Sequence, residues 1–121
     1  MNSTAKLRAV RDLLAHFRFK YRNEDELQVA IAQILGSTNF KVEREYRLGD
    51  LGRLDFLIDG EIVIETKIGG SANDLMRQVA RYAQSDLVQG ILVITNRATH
   101  RLPKSFNGKP ILLHFLMDGA F

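Results

Sequence analysis

The chain reads as an α/β protein: a mixed central sheet flanked by helices, with one extra helix at the N-terminus. Two observations predict this. Apolar residues recur at helical spacing in three segments, and at strand spacing or in unbroken runs in five. The segments follow in the order helix, helix, three strands, helix, strand, loop, strand. The run Ile91-Leu92-Val93-Ile94-Thr95 is apolar almost throughout, as a central strand covered on both faces must be.

Residues 4–17 form the first helix, where Leu7, Val10, Leu14 and Phe17 keep the helical period and Ser3 or Thr4 is available as N-cap. Phe17-Arg18-Phe19-Lys20-Tyr21-Arg22 then interleaves rings with bases. Such a pattern serves a nucleic-acid surface, by stacking and phosphate contact, or a helix exit that packs its rings on the core. The second helix starts at Asn23, with Glu24, Asp25 and Glu26 in the turn where the dipole favours anions. Leu27, Ala30, Ile31 and Ile34 give its buried stripe, and Gly36 ends it. Glu24 lies in line with that stripe, whereas Asp25 and Glu26 turn outward.

Phe40 to Leu48 alternates as a strand, with Phe40, Val42, Tyr46 and Leu48 on one side and Arg44 interrupting them. Gly49-Asp50-Leu51-Gly52 turns the chain into a hairpin, Arg53 to Lys67, centred on Asp59-Gly60. After a flexible break at Gly69-Gly70, a helix capped by Ser71 or Asn73 runs to about Ser85, with Leu75, Val79, Tyr82 and Ala83 inward. The segment from Asn96 to Pro110 reads as a loop carrying Arg97, His100, Arg101, Lys104 and Lys109 around Phe106. It serves either as a substrate-binding loop or as a solvated connection. A last strand covers Ile111 to Leu116.

The hairpin holds the chemistry. Asp55 stands inside its first strand, and Glu65 and Lys67 inside its second, where charged residues are disfavoured. A two-residue loop would send Asp55 and Glu65 to opposite faces. A three-residue loop, Asp59-Gly60-Glu61, pairs Ile58 with Ile62 and sets Asp55 directly opposite Glu65, with Lys67 on the same face. The three-residue loop is the expectation. Two carboxylates so placed repel unless one is protonated or a cation bridges them, and Mg²⁺ takes oxygen ligands of this kind.

An Asp, a turn and Glu-x-Lys on the next strand resembles the PD-(D/E)XK nuclease superfamily, through Asp55, Glu65, Thr66 and Lys67; Leu54 stands where the family name places proline. Gln78-Val79-Ala80-Arg81-Tyr82 matches the Q-x-x-x-Y pair that several branches carry on the following helix. The resemblance covers roughly residues 23 to 95. It implies a restriction-endonuclease-like αβββαβ core preceded by the extra N-terminal helix, and a metal-dependent endonuclease. Asp55 and Glu65, the Thr66 main-chain carbonyl and Glu24 (with Glu26 as the fallback) would hold Mg²⁺ or Mn²⁺. Lys67 would orient water or stabilise charge, while Gln78 and Tyr82 orient the lysine or a phosphate. DNA is the expected substrate ahead of RNA. A toxin-type RNase acting on tRNA and an inactive nucleic-acid-binding module of this fold are the alternatives.

At 121 residues the chain has room for one core. Within this single domain, residues 1–22 are a basic helical segment, 23–95 the catalytic core, and 96–121 a basic loop with the final strand. The net charge is +3, and six bases against one acid lie between Met1 and Arg22. That end suits a polyanion or forms a solvated face. Arg18, Lys20, Arg22, Arg97, Arg101 and Lys104 are the candidate nucleic-acid contacts. The absence of cysteine excludes disulfides and thiolate metal sites. No apolar run approaches the roughly 20 residues that span a bilayer, and no signal-peptide core opens the chain, so no membrane association and a cytoplasmic location are expected. There is no Walker loop and no Gly-x-Ser-x-Gly, and His16, His100 and His114 lack metal-ligand spacing. Phe115-Leu116-Met117 and Phe121 offer an apolar surface, and a homodimer is expected if the substrate is duplex or branched DNA.

Overall fold

The computed structural model describes residues 1–97 and 101–116. The elements run α1 (Ser3–Ala15), α2 (Glu24–Leu35), β1 (Val42–Arg47), a 3-10 turn (Gly49–Leu51), β2 (Arg53–Ile58), β3 (Ile62–Lys67), α3 (Ala72–Tyr82), β4 (Gly90–Thr95), β5 (Ser105–Phe106) and β6 (Lys109–Phe115). Six strands form one sheet in the order β1-β2-β3-β4-β6-β5. The hairpin pairs β1–β2 and β2–β3 are antiparallel, β3, β4 and β6 are parallel, and β5 folds back antiparallel on β6. This is the expected mixed α/β architecture, consistent with a restriction-endonuclease-like fold. Met117, Phe121 and His100 lie outside the described residues. Among the described residues no helix is long and apolar enough to cross a membrane.

Each helix begins on a short polar cap. Asn2 accepts from the Ala5 N–H at 2.7 Å, Asn23 from the Glu26 N–H at 2.9 Å and Ser71 from the Asp74 N–H at 3.1 Å. The first cap thus falls on Asn2 rather than on Ser3 or Thr4. The helix also stops earlier than its period suggests, and Phe17, placed in its stripe by spacing, is 45% exposed. Phe19 is buried instead, and Tyr21 packs beside it.

The sheet is buried on both sides. Leu7, Val10 and Leu14 of α1 and Leu27, Ile31 and Leu35 of α2 pack on Phe56, Ile58, Ile62, Ile64, Leu92 and Ile94. On the other face Leu75, Val79, Tyr82 and Ala83 of α3 pack on Leu54, Leu57, Val63, Ile91, Val93 and Ile111. Every residue of β4 is buried, which explains its unbroken apolar run.

β1 departs from its expected alternation. Phe40 and Val42 pack with α1 and α2, but Tyr46 and Leu48 pack with α3. The cause is Glu45, whose φ of 53° is left-handed. Arg44 pairs with Phe56 and Tyr46 with Leu54, while the row between them is unpaired. One left-handed residue reverses the alternation, so side chains two apart land on opposite faces. The loop expected at 96–110 also contains structure. Asn107 and Gly108, with φ of 52° and 76°, turn β5 into β6, as an Asn-Gly pair favours.

That turn docks on the end of α3. Asn107 donates to the Ala83 carbonyl at 3.0 Å, and the Lys109 ammonium donates to the carbonyls of Ala83 and Ser85 at 2.7 and 2.5 Å. A cation here satisfies the orphan acceptors of a helix C-terminus and its dipole. Lys109→Met should therefore lower stability by about 1–2 kcal/mol, measured as a fall in melting temperature. Lys104→Met, at an exposed position, should leave it unchanged. Equal melting temperatures for both variants would contradict the cap.

Candidate active site

The hairpin takes the expected three-residue loop. Ile58 pairs with Ile62, Leu57 with Val63 and Phe56 with Ile64. Asp59 and Gly60 have φ of 52° and 71°, the left-handed pair that a type I′ turn requires, and Glu61 is the extra residue that shifts the register. The turn is tied to α1: Lys6 sits 2.9 Å from Asp59 and 3.1 Å from Glu61, and Ser3 donates to Glu61.

Beyond Phe56 and Ile64 the regular ladder stops, and side chains take its place. The Asp55 N–H donates to Glu65 Oε1 at 2.9 Å. The Thr66 N–H and hydroxyl both donate to Asp55 Oδ2, at 2.7 and 2.8 Å. Gln28 of α2 donates to the same Thr66 hydroxyl at 2.9 Å. The two carboxylates thus fill the split between β2 and β3, each bonded to the main chain beside it. This lies at the carboxyl end of the parallel strands, where sheets of this type bind ligands.

Burial dominates the electrostatics. Glu65 is 3% exposed, and burial pushes its carboxyl well above the usual carboxylate range, with the charges of Asp55 and Glu24 adding to the rise. Burial also raises Asp55, against the pull of the Thr66 hydrogen bonds and the positive charges of Arg53 and Lys67. Glu24 is raised chiefly by burial and then by Asp55. Among the described residues none of these three acids is in an ion pair.

The site is therefore short of positive charge and rich in oxygen donors, which fits a hard divalent cation. The donors are not yet gathered: among the described residues no group of three acids or histidines is close enough to hold an ion. Glu24 stands back, accepting from the Ile68 N–H at 3.4 Å. The fallback Glu26 is engaged elsewhere, pairing with Arg22 at 2.7 Å.

Lys67 follows Glu65 on β3 and is half-buried. The Gly69-Gly70 segment, read from sequence as a flexible break, has a defined shape, with φ of 75° and 73°. A Cβ on Gly70 would stand 2.7 Å from Lys67 Cε and 3.4 Å from its Nζ, so the bare glycine closes over the lysine stem. Asn96 holds the segment by accepting the Gly69 N–H at 3.3 Å.

The Gln78–Tyr82 pair forms, with the Gln78 amide donating to the phenol at 3.0 Å. The phenol donates to the Arg53 carbonyl at 2.9 Å, so the structure places it on the start of β2. Burial, reinforced by the Glu65 charge, pushes the phenol up to about 12. Arg18, Lys20, Arg97, Arg101 and Lys104 are all exposed, and Arg22 is exposed but held by Glu26.

Sequence reasoning missed three contributors. Gln28 and the Thr66 hydroxyl brace Asp55, a role legible only as Gln28 lying one turn after Glu24. Gly70 had a signal in the glycine pair directly after the lysine strand.

A family model described as the PD-(D/E)XK nuclease superfamily matches residues 2–119. No curated protein and no solved structure matches the chain.

Two outcomes follow from the geometry. Gly70→Ala should displace the Lys67 ammonium, seen as a shifted lysine side-chain signal in NMR spectra, whereas Gly69→Ala, which carries the same left-handed backbone strain but has open space at its Cβ, should not. An unmoved Lys67 signal in Gly70→Ala would contradict the packing. The second concerns pH. A carboxyl raised in the folded state gives stability that is complete below its ordinary value of 4.5 and is lost as pH rises through the folded value. Glu65→Gln removes that loss. Without metal it should melt higher than the parent at neutral pH, with the gap closing towards pH 4.5; a constant gap would contradict the raised carboxyl.

Proposed function

Because the chain belongs to the PD-(D/E)XK nuclease superfamily, we propose that it is a divalent-metal-dependent endonuclease that hydrolyses phosphodiester bonds in DNA. The observation that carries this reading is the joined pair Asp55 and Glu65, set into the β2–β3 split without an ion-pair partner among the described residues and followed on the strand by Lys67.

Asp55, Glu65, the Thr66 carbonyl and Glu24 would hold Mg²⁺ or Mn²⁺, which would supply an acidified water and charge neutralisation at phosphorus. The chain's own residues do the rest. The N–H and hydroxyl of Thr66 fix one Asp55 oxygen, so the other would be the one to bind a cation. The Asp55 N–H fixes Glu65 in the same way. Burial makes the Glu65 carboxyl hold its proton to higher pH than usual, so a cation there would compete with that proton. Lys67, steered by Gly70, places a cation where negative charge grows on the phosphoryl oxygens as water adds to phosphorus and the ester oxygen leaves. Tyr82 and Gln78 hold the strand that presents Asp55. One such site cuts one strand. Cutting both would take two copies; of the apolar surface expected for a homodimer Phe115 is exposed but Leu116 is buried, and exposed Leu113 of β6 would take its place.

The test is incubation with plasmid, single-stranded DNA, a four-way junction and tRNA, each with Mg²⁺, Mn²⁺ or EDTA. Cleavage of DNA with metal and none with EDTA is expected. Asp55→Asn, Glu65→Gln and Lys67→Ala should each lose at least about 10²–10³ in rate with the fold retained. Glu24→Gln, at an inward half-buried position, should lose far more than Asp25→Asn, which is exposed. Near-parental turnover in Glu65→Gln or Lys67→Ala would refute the site, and cleavage confined to tRNA would replace DNA by RNA.

A further inference from the structure

The register of β1 and β2 ends on an unusual pair: Arg47 lies directly opposite Arg53. Partners in adjacent strands project side by side on the same face, and like charges so placed destabilise a sheet. Both arginines are exposed, and among the described residues neither forms an ion pair, whereas Arg11, Arg22 and Arg77 each meet a carboxylate and Arg44 lies over the Phe56 ring.

The pair stands on a fixed frame beside the candidate active site. The Arg53 carbonyl accepts from the Tyr82 phenol at 2.9 Å, and Gln78 holds that phenol. Gly52, whose φ of 120° favours glycine, lies against the Tyr82 ring, which a Cβ there would meet at an ordinary contact distance of 3.4 Å. The Leu48 N–H donates to the Gly52 carbonyl at 2.8 Å, closing the turn between the two strands. Tyr46 and Leu54 face the α3 core, so Arg47 and Arg53, next to each along its strand, project to the opposite face, the one that carries α2 and Glu24. Arg53 is two residues before Asp55, and its charge acts on that carboxyl.

We propose that Arg47 and Arg53 form a two-arginine clamp for a backbone phosphate of the nucleic-acid substrate, beside the phosphate being cut. The proposal rests on the nuclease reading. Guanidinium groups suit this ligand because their forked donors match phosphate oxygens. A dianionic clamp partner is unnecessary: one phosphodiester charge between the two cations removes the repulsion that the free protein carries. The Gln78–Tyr82 pair then has a stated purpose, which is to set Arg53 at a fixed distance from Asp55.

The test measures binding by fluorescence anisotropy in EDTA, with a short DNA duplex and an RNA hairpin as probes, across a range of salt. Arg47→Gln and Arg53→Gln should each weaken binding about three- to tenfold and lower the slope of log affinity against log salt by about one. The double variant should exceed either, and Arg53→Lys should recover part of the loss. Melting temperatures should hold or rise, since repulsion is relieved. Arg77→Gln, on α3 and paired with Asp74, should change nothing. A loss on both probes supports a contact to phosphate alone, and a loss on one supports a clamp fitted to that polymer. Unchanged affinity and slope in both variants, with the parent binding and cutting normally, overturns the clamp and leaves the nuclease reading standing. A fall in melting temperature matching the loss of affinity also overturns it, as a structural role. A parent chain that neither binds nor cuts nucleic acid overturns both.

Discussion

The exchange of hydrogen bonds where β2 and β3 part governs the rest of the site. Up to Phe56 and Ile64 the strands are joined by backbone pairing. One step further, the Asp55 N–H goes to a glutamate side chain and the Thr66 N–H to an aspartate side chain. Each carboxylate replaces a main-chain acceptor that has moved away, so the backbone donors remain satisfied as buried donors must be. The same exchange brings two acids together in a buried place. Their mutual repulsion and raised affinity for protons are thus a direct product of how the hairpin ends.

The neighbouring strand is bent to the same row. Glu45, in left-handed geometry, stands at the unpaired row between the Arg44–Phe56 and Tyr46–Leu54 pairs, and both strands change face there: Val42 and Phe56 belong to one core, Tyr46 and Leu54 to the other. A non-glycine residue in that conformation costs about 1 kcal/mol. The gain is that a strand buried against α1 and α2 at one end is buried against α3 at the other. Tyr82 and Lys67 reach this crossing from α3 and β3.

Most of the framework could be read from the chain because it rests on local patterns. Period and capping residues give α2 nearly to the residue and the start of α3, which ends at Tyr82 rather than near Ser85, and the register of the hairpin follows from Asp59-Gly60 together with the apolar positions around it. Asp55, Glu65 and Lys67 stand out since a strand seldom carries them. What escaped has a common cause, which is that it depends on partners distant in sequence. Glu45 reverses the alternation of β1 without any glycine to announce it. The Gln28–Thr66–Asp55 chain joins a helix to a strand, 38 residues apart at its first link. Arg47 and Arg53 look like two scattered bases until the register sets them side by side. Asn107-Gly108 is the exception, a local hairpin signal overlooked because the segment is so rich in charge.

The position of the type I′ turn also bears on the order in which the chain assembles. Hairpins close from the turn outward, since the nearest residues have the shortest loop to shut. Here the Asp59-Gly60 turn and the Ile58, Leu57 and Phe56 rows come first, all apolar beyond the turn itself. The carboxylate row is last, and it meets its repulsion only after the hydrophobic rows have committed the register. Folding of the hairpin therefore has no need of a cation as a template. The apolar rows hold the two acids together, and the chain arrives at its native state with carboxyls that bind protons more readily than usual.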